Sequence, residues 1–149
     1  MKATAEPQIA EEIPGYSYGL SDVARSPISL KQLEQLKQSA GFTSEDERYL
    51  RMAGELLADQ TKAVVDTWRG VIARTPHLAR HSKDADGQAI PRYSERSGMR
   101  FQQWILDTCF RPYDQDWLNY QQEIALRHIS AKKNATDGVC LLRSSRCGR

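Results

Sequence analysis

The chain has 149 residues, of which 40% are hydrophobic and 27% are charged, and its formal net charge is +2. This balance is typical of a single soluble domain, and no apolar run approaches the ~18 residues that a membrane span needs. Three of the positive charges lie near the C-terminus, at Arg143, Arg146 and Arg149. The rest of the chain is therefore close to neutral, which argues against nucleic-acid binding.

The first residues and the cysteines predict a cytoplasmic protein. Residues 1–12 lack the apolar core of a signal peptide and the arginines of a transit peptide, and we predict that they are disordered. The cysteines, Cys109, Cys140 and Cys147, are odd in number and contain no C-x-x-C pair. Isolated thiols of this kind are typical of a reducing compartment.

Two capping boxes predict the first helices. Ser29-x-x-Gln32 begins a short helix over roughly residues 29–39. Ser44-x-x-Glu47 begins a second helical pattern. Since both motifs satisfy backbone N–H groups that a helix start leaves unpaired, they indicate where the helices begin.

The second helical pattern continues to about residue 74, where Pro76 ends it. A run of roughly thirty residues is long for one helix, so we expect a bend near residues 59–62 and two helices in series. Its apolar face is formed by Leu57, Val64, Trp68, Val71 and Ile72. We predict that residues 75–90 form a loop with at most one helical turn.

The last predicted helices carry two more apolar stripes. Pro91 suits the first turn of a helix, and the stripe on that helix is formed by Phe101, Trp104, Ile105 and Thr108. Asp114 is a suitable N-cap for the next helix, on which the stripe consists of Trp117, Tyr120, Ile124 and His128. No alternating strand pattern occurs, so we predict an all-α fold.

His128 is the most informative residue of the chain, because it places an imidazole on an apolar stripe. A neutral imidazole there either completes a core hydrogen bond or binds a metal, and haem iron suits a pocket that is otherwise apolar and aromatic. A metal-binding nitrogen needs its ring partner fixed by an acceptor. The Ile124 carbonyl, one turn earlier, is available for that purpose.

Four segments resemble the protoglobins, the single-domain relatives of globin-coupled sensors. They are residues 13–19 (IPGYSYG), residues 42–49 (FTSEDERY) continuing to Asp66-Thr-Trp68, residues 100–108 (RFQQWILDT), and residues 113–128 (YDQDWLNYQQEIALRH) running on through 132–137. The resemblance covers about residues 13–137. It predicts one globin domain over that range, followed by an unpatterned tail at residues 138–149.

The resemblance implies a globin-like fold with an extra N-terminal helix and a haem b cofactor that binds O2, CO or NO. His128 stands at the position of the proximal iron ligand, and Trp68 and Phe101 stand at distal positions of the haem pocket. Arg100 stands where the family places a basic side chain near a haem propionate. Gas sensing is a further role in the family. We predict no enzymatic activity, because no general acid or base is placed for it.

Two features depart from the protoglobin pattern. Arg69 follows the distal tryptophan, where the family commonly has a tyrosine. Residues 138–149 stand where the family has two long helices that close the haem pocket and form the dimer interface. We therefore predict that the chain lacks the last two globin helices. An alternative interpretation is a structural remnant that no longer binds haem, because those helices contribute much of the core.

Overall fold

The structure is a computed structural model that describes residues 13–80 and 91–128. Within these ranges the chain contains no strand, which confirms the all-α fold class, and none of its helices is long and apolar enough to cross a membrane. The predictions for residues 1–12, for the loop at residues 81–90, for the tail at residues 138–149 and for the lack of the last two globin helices lie outside the described residues. The helices are α1 (Leu30–Ser39), α2 (Ser44–Leu57), α3 (Thr61–Arg74), α4 (Pro76–Ala79), α5 (Pro91–Phe110) and α6 (Gln115–Arg127).

The start of α1 is the predicted one. The Gln32 backbone N–H donates to the Ser29 hydroxyl at 3.2 Å, and the Ser29 N–H donates to the Gln32 side-chain oxygen at 2.9 Å. The break between α2 and α3 also falls where the sequence predicts it, since α2 ends at Leu57 and α3 begins at Thr61. The single turn of α4 then follows from Pro76, which suits the first turn of a helix.

The start of α2 differs from the prediction by one residue. Ser44 is already helical, and the cap is Thr43, whose N–H and hydroxyl both donate to Asp46 at 2.7 and 2.9 Å. Glu47, the expected partner of Ser44, instead accepts a bond from Lys37 of α1 at 3.0 Å. The overlapping pattern Thr43-x-x-Asp46 therefore forms the capping box, because the tertiary contact with α1 occupies Glu47.

Helix α5 packs against both α2 and α3, and its contact with α2 is unusually close at Gly54. A Cβ at this position would lie 2.7 Å from the Cβ of Cys109 and 2.7 Å from Cζ of Phe110. Carbon atoms in good contact stand ~3.5–4.0 Å apart. A glycine at residue 54 therefore allows α2 to approach the C-terminal half of α5.

The most buried side of α5 is polar, which the sequence analysis did not predict. Arg100, Gln103 and Asp107 are 9%, 5% and 2% exposed, whereas the predicted apolar stripe of this helix is only half-buried. The partners come from the residues that precede α1. Tyr16 donates its hydroxyl to Asp107 at 2.6 Å, and Arg100 donates to the Pro14 carbonyl at 2.9 Å.

The segment of residues 13–28, here called the N-terminal segment, also contacts α6. Its Tyr16 and Tyr18 rings pack against Tyr120 with centroid distances of 5.3 and 5.4 Å. Arg127 donates to the Ser17 hydroxyl at 3.0 Å. The N-terminal segment thus ties α5 to α6 and closes the polar side of the core.

Burial of these tyrosines predicts a loss of stability in alkaline solution. Burial raises the pKa of Tyr120 to about 12. Burial together with the bond to Asp107 also raises the pKa of Tyr16. The pKa of a tyrosine in an unfolded chain is ~10. Above that pH the unfolded chain releases protons that the folded chain keeps. The free energy of unfolding should therefore fall by up to ~1.4 kcal/mol per pH unit for Tyr120 between about pH 10 and 12.

Urea titrations at a series of alkaline pH values measure this slope. Tyr120→Phe should make the slope shallower. Tyr49→Phe is the matched control for the loss of a tyrosine hydroxyl, because Tyr49 is 52% exposed. An identical slope for the wild type and Tyr120→Phe would contradict the prediction.

Candidate functional site

His128 is the C-cap residue of α6, and a side-chain hydrogen bond stabilises each end of this helix. The Asp114 side chain accepts the Trp117 N–H at 3.0 Å and caps the start of α6, as predicted. The Nδ1 atom of His128 lies 2.8 Å from the Ile124 carbonyl oxygen, the acceptor that the sequence suggested. Since a carbonyl can only accept, Nδ1 donates, and the neutral ring keeps its lone pair on Nε2.

In the stripe that carries His128, exposure increases from Tyr120 to the last residue. Tyr120 is 1% exposed, Trp117 and Ile124 are half-buried, and His128 is exposed. The expectation of an interior-facing stripe is therefore wrong for its last residue. The reason is that α6 ends at Arg127 and His128 is its C-cap residue, so the imidazole lies at the end of the helix.

Trp68 of α3 and Phe101 of α5, the two residues for which the resemblance implied distal positions, are in contact. Their ring centroids are 5.1 Å apart in an edge-to-face arrangement, and Phe101 lies 5.8 Å from Trp104 in the same measure. Edge-to-face pairs at such distances are favourable contacts between aromatic rings. We call Trp68, Phe101 and Trp104 the aromatic row.

The aromatic row is connected to α6 through Gln121. The Trp104 indole N–H donates to the Gln121 side-chain oxygen at 3.0 Å. Gln121 lies two turns before His128, with the half-buried Ile124 between them, so these residues share one side of α6. The predictions from the sequence did not include Gln121 as a contact of the aromatic row. The signal was available, because an indole N–H in a packed region needs an acceptor.

One side of α3 presents apolar side chains that the described residues leave partly uncovered. Val64, Trp68 and Val71 are 41%, 48% and 49% exposed, whereas Val65 is 1% exposed. The apolar face predicted for α3 is therefore not its most buried side, which holds Thr61 and Val65 instead. The exposed residues follow the spacing i, i+4 and i+7 and form a continuous apolar surface beside Phe101.

Arg100 belongs to a different surface from the aromatic row. Arg100 is 9% exposed, and its guanidinium donates to the Pro14 carbonyl of the N-terminal segment. The structure therefore brings Trp68 and Phe101 together, connects them to the side of α6 that ends in His128, and places Arg100 in the polar core. A role of Arg100 at a haem propionate stays a prediction.

An open cavity lies at the other side of α6. It has a volume of about 290 Å³ and is bordered by the N-terminal segment, Glu123 and Arg127. These two side chains form an ion pair at 3.0 Å, in which they are only 6% and 13% exposed. None of Trp68, Phe101 and His128 borders this cavity, so it is separate from the candidate site.

Comparison with known protein families identifies the fold. A family model described as Protoglobin matches residues 29–134, a range that contains Trp68, Phe101 and His128. The chain belongs to the protoglobin family. None of the curated proteins compared with the chain matches it. The resemblance seen in the sequence is thereby confirmed, together with a globin-like helical fold, and the protoglobin family in general implies a haem cofactor.

The described side chains fit such a cofactor. His128 belongs to no group of three or more potential metal ligands within residues 13–80 and 91–128. A haem iron needs few ligands from the protein, because the porphyrin supplies four nitrogens. One imidazole with an orientated Nε2 and a partly uncovered apolar surface on α3 provide the two kinds of contact that haem requires.

Proposed function

We propose that this protoglobin holds haem b through Nε2 of His128 and binds O2, CO or NO reversibly at the iron. The observation that carries the proposal is the 2.8 Å bond between Nδ1 of His128 and the Ile124 carbonyl. The bond fixes the ring orientation and the tautomer before any metal binds, and it increases the basicity of the coordinating nitrogen. Haem iron supplies the coordination position at which a diatomic gas binds.

The remaining site residues have the task of excluding water. Trp68 and Phe101 present an apolar aromatic surface at the junction of α3 and α5, and Val64 and Val71 extend this surface along α3. Exclusion of water slows the oxidation of a ferrous gas complex, and the polarity of the distal pocket decides which gas is favoured. We propose that Trp68 and Phe101 control access of the gas.

The proposed role is reversible binding and not catalysis. A sensing role would require an output domain or a separate partner, because sensing needs an element whose two states the ligand stabilises differently. A homodimer is a property that the resemblance implies for the family, and for this chain it stays a prediction. A cytoplasmic location stays a prediction from the sequence.

A second candidate function is a structural remnant without haem, and the exposed apolar side chains favour it. Leu56 is 71% exposed, and Trp68 is 48% exposed. Apolar surface of this kind is costly when it stays uncovered and leads to self-association. In that case the polypeptide would bind a hydrophobic dye strongly and would leave added hemin in solution.

Titration of the full chain with hemin tests the proposed function. We expect a sharpened Soret band that saturates at one hemin per chain, quenching of tryptophan fluorescence because Trp68 borders the site, and a further band shift when CO is added to the reduced protein. Buffer and a non-haem protein of similar size are the controls. An absorption spectrum that remains that of free hemin at every ratio would exclude gas binding by this chain and support the remnant.

A further inference from the structure

Arg69 is adjacent to Trp68 in the sequence, but its side chain is directed to a different neighbour. Trp68 contacts Phe101. Arg69 extends along the side of α3 that contains Thr61 and Val65, the two buried residues of this helix. Residues at positions i, i+4 and i+8 lie in line on a helix. Arg69 therefore occupies the surface at which α3 packs on α5.

The guanidinium of Arg69 connects α3 to the first half of α5 by two hydrogen bonds. Nη1 donates to the Ser94 hydroxyl at 2.8 Å, and Nη2 donates to the Ser97 hydroxyl at 2.6 Å. The Ser97 hydroxyl in turn lies 2.7 Å from the Tyr93 carbonyl, to which it donates. Its own proton is thus occupied, and its lone pairs are directed to Arg69. These bonds fix the plane of the guanidinium.

Arg69 is partly buried, and burial is energetically unfavourable for a charged group. Burial lowers the pKa of Arg69, although a guanidinium stays charged in proteins. The Nε atom is buried and has no hydrogen-bond partner among the described residues. Its neighbour across the interface is Gly98, whose added Cβ would lie 3.6 Å from Nε. The charge is stabilised by two neutral hydroxyls at the α3–α5 junction.

We propose that Arg69 is a positioning residue, which fixes the separation of the helices that carry Trp68 and Phe101 and does not donate a hydrogen bond to the bound gas. This inference rests on the proposed function. When haem is bound, a hydrogen-bond donor close to the gas would favour O2, whereas CO would gain little from it. Because both Nη atoms are bonded to serines of α5, the guanidinium is held at the α3–α5 junction, and we expect it to contribute little to the preference for O2 over CO.

Two measurements on matched variants test this inference. Arg69→Ala should lower the Tm of the full chain without hemin by at least roughly 2–4 °C, because the bridge between α3 and α5 is lost. Arg74→Ala is the matched control, since Arg74 is an exposed arginine in the last turn of the same helix. In the hemin-loaded protein, Arg69→Ala should change the ratio of O2 affinity to CO affinity by less than about threefold.

A double-mutant cycle distinguishes a bridge from a general loss of charge. The Tm of the variant with both Ser94→Ala and Ser97→Ala should decrease by about as much as that of Arg69→Ala. Combining all three substitutions should decrease the Tm by little more than either change alone. If Arg69→Ala does not fold, the serine variant alone tests the bridge, because it keeps the guanidinium and removes both acceptors: a Tm equal to that of the wild type would overturn the bridge. Additive losses would overturn the bridge.

Two further outcomes separate this inference from the proposed function. A decrease of the O2-to-CO affinity ratio by tenfold or more in Arg69→Ala would show that Arg69 donates to the gas, since a charge-assisted hydrogen bond contributes roughly ten- to hundredfold. That result would overturn the inference and leave the proposed function intact. If the chain binds no hemin, the proposed function fails, and the Tm cycle on the hemin-free chain still decides whether Arg69 bridges α3 and α5.

Discussion

Replacing Asp107 with alanine should lower the free energy of unfolding by about 3–5 kcal/mol, the cost of breaking a buried charge network. Asp107 is 2% exposed. Its carboxylate accepts bonds from Tyr16 at 2.6 Å, Gln103 at 2.9 Å and Arg111 at 3.3 Å. The substitution leaves these donors without their acceptor in a region from which water is largely excluded. The cost therefore exceeds the net energy of the lost hydrogen bonds, because each buried donor without a partner also carries its desolvation penalty.

Urea denaturation followed by far-ultraviolet circular dichroism measures this effect. Asp66→Ala is the matched control, because the Asp66–Lys62 pair is exposed on α3 and should contribute no more than about 0.5 kcal/mol. Tyr16→Phe removes one donor to the carboxylate and keeps the ring, so it should cost about 1.5–3 kcal/mol. A loss below about 1 kcal/mol for Asp107→Ala would mean that the N-terminal segment does not hold α5 as described.

Replacing His128 with glycine should lower the affinity for hemin by more than roughly 100-fold, because loss of even an outer partner of a metal ligand costs 10–100-fold. The side chain is exposed, so the free energy of unfolding without hemin should change little beyond the cost of glycine and of the bond to Ile124. Added imidazole should restore the spectrum of the loaded protein, since it supplies the missing nitrogen.

His77→Gly is the matched control for this experiment. His77 lies in the single turn of α4 and is exposed, and it is remote in sequence from α6. This variant should bind hemin as the wild type does and should not respond to imidazole. Equal hemin affinity of His128→Gly and His77→Gly would remove His128 from the site.

The sequence predicted those parts of the fold that local chemistry decides. The capping box at Ser29, the N-cap at Asp114 and the helix end before Pro76 depend on residues within one turn of each other, and the structure has them as predicted. The start of α2 shows where this reasoning stops. Two overlapping boxes were available, and the distant contact of Glu47 with Lys37 selected the one at Thr43.

Which side of each helix is buried depended on contacts between distant residues. Apolar periodicity favoured Phe101 and Trp104 as the inner side of α5, but the N-terminal segment supplies Tyr16 and Pro14 as partners for Asp107 and Arg100. No local pattern encodes a partner more than eighty residues away. A polar side chain with a suitable partner can be as deeply buried as an apolar one.

The candidate site follows the same division. The bond between His128 and Ile124 spans one helical turn and could be predicted, whereas the resemblance to protoglobins gave Trp68 and Phe101 a role but not their mutual contact. The bond of Trp104 to Gln121 and the bridge of Arg69 to Ser94 and Ser97 cross between helices. They required the positions of the helices relative to one another.

Resonance Raman spectroscopy of the reduced, hemin-loaded chain tests the central claim most directly, because it detects the bond between iron and the proximal nitrogen. The account predicts an iron–imidazole stretching band that shifts when the histidines carry ¹⁵N, persists in His77→Gly and disappears in His128→Gly. A band that persists unchanged in His128→Gly would contradict the assignment of His128 as the iron ligand.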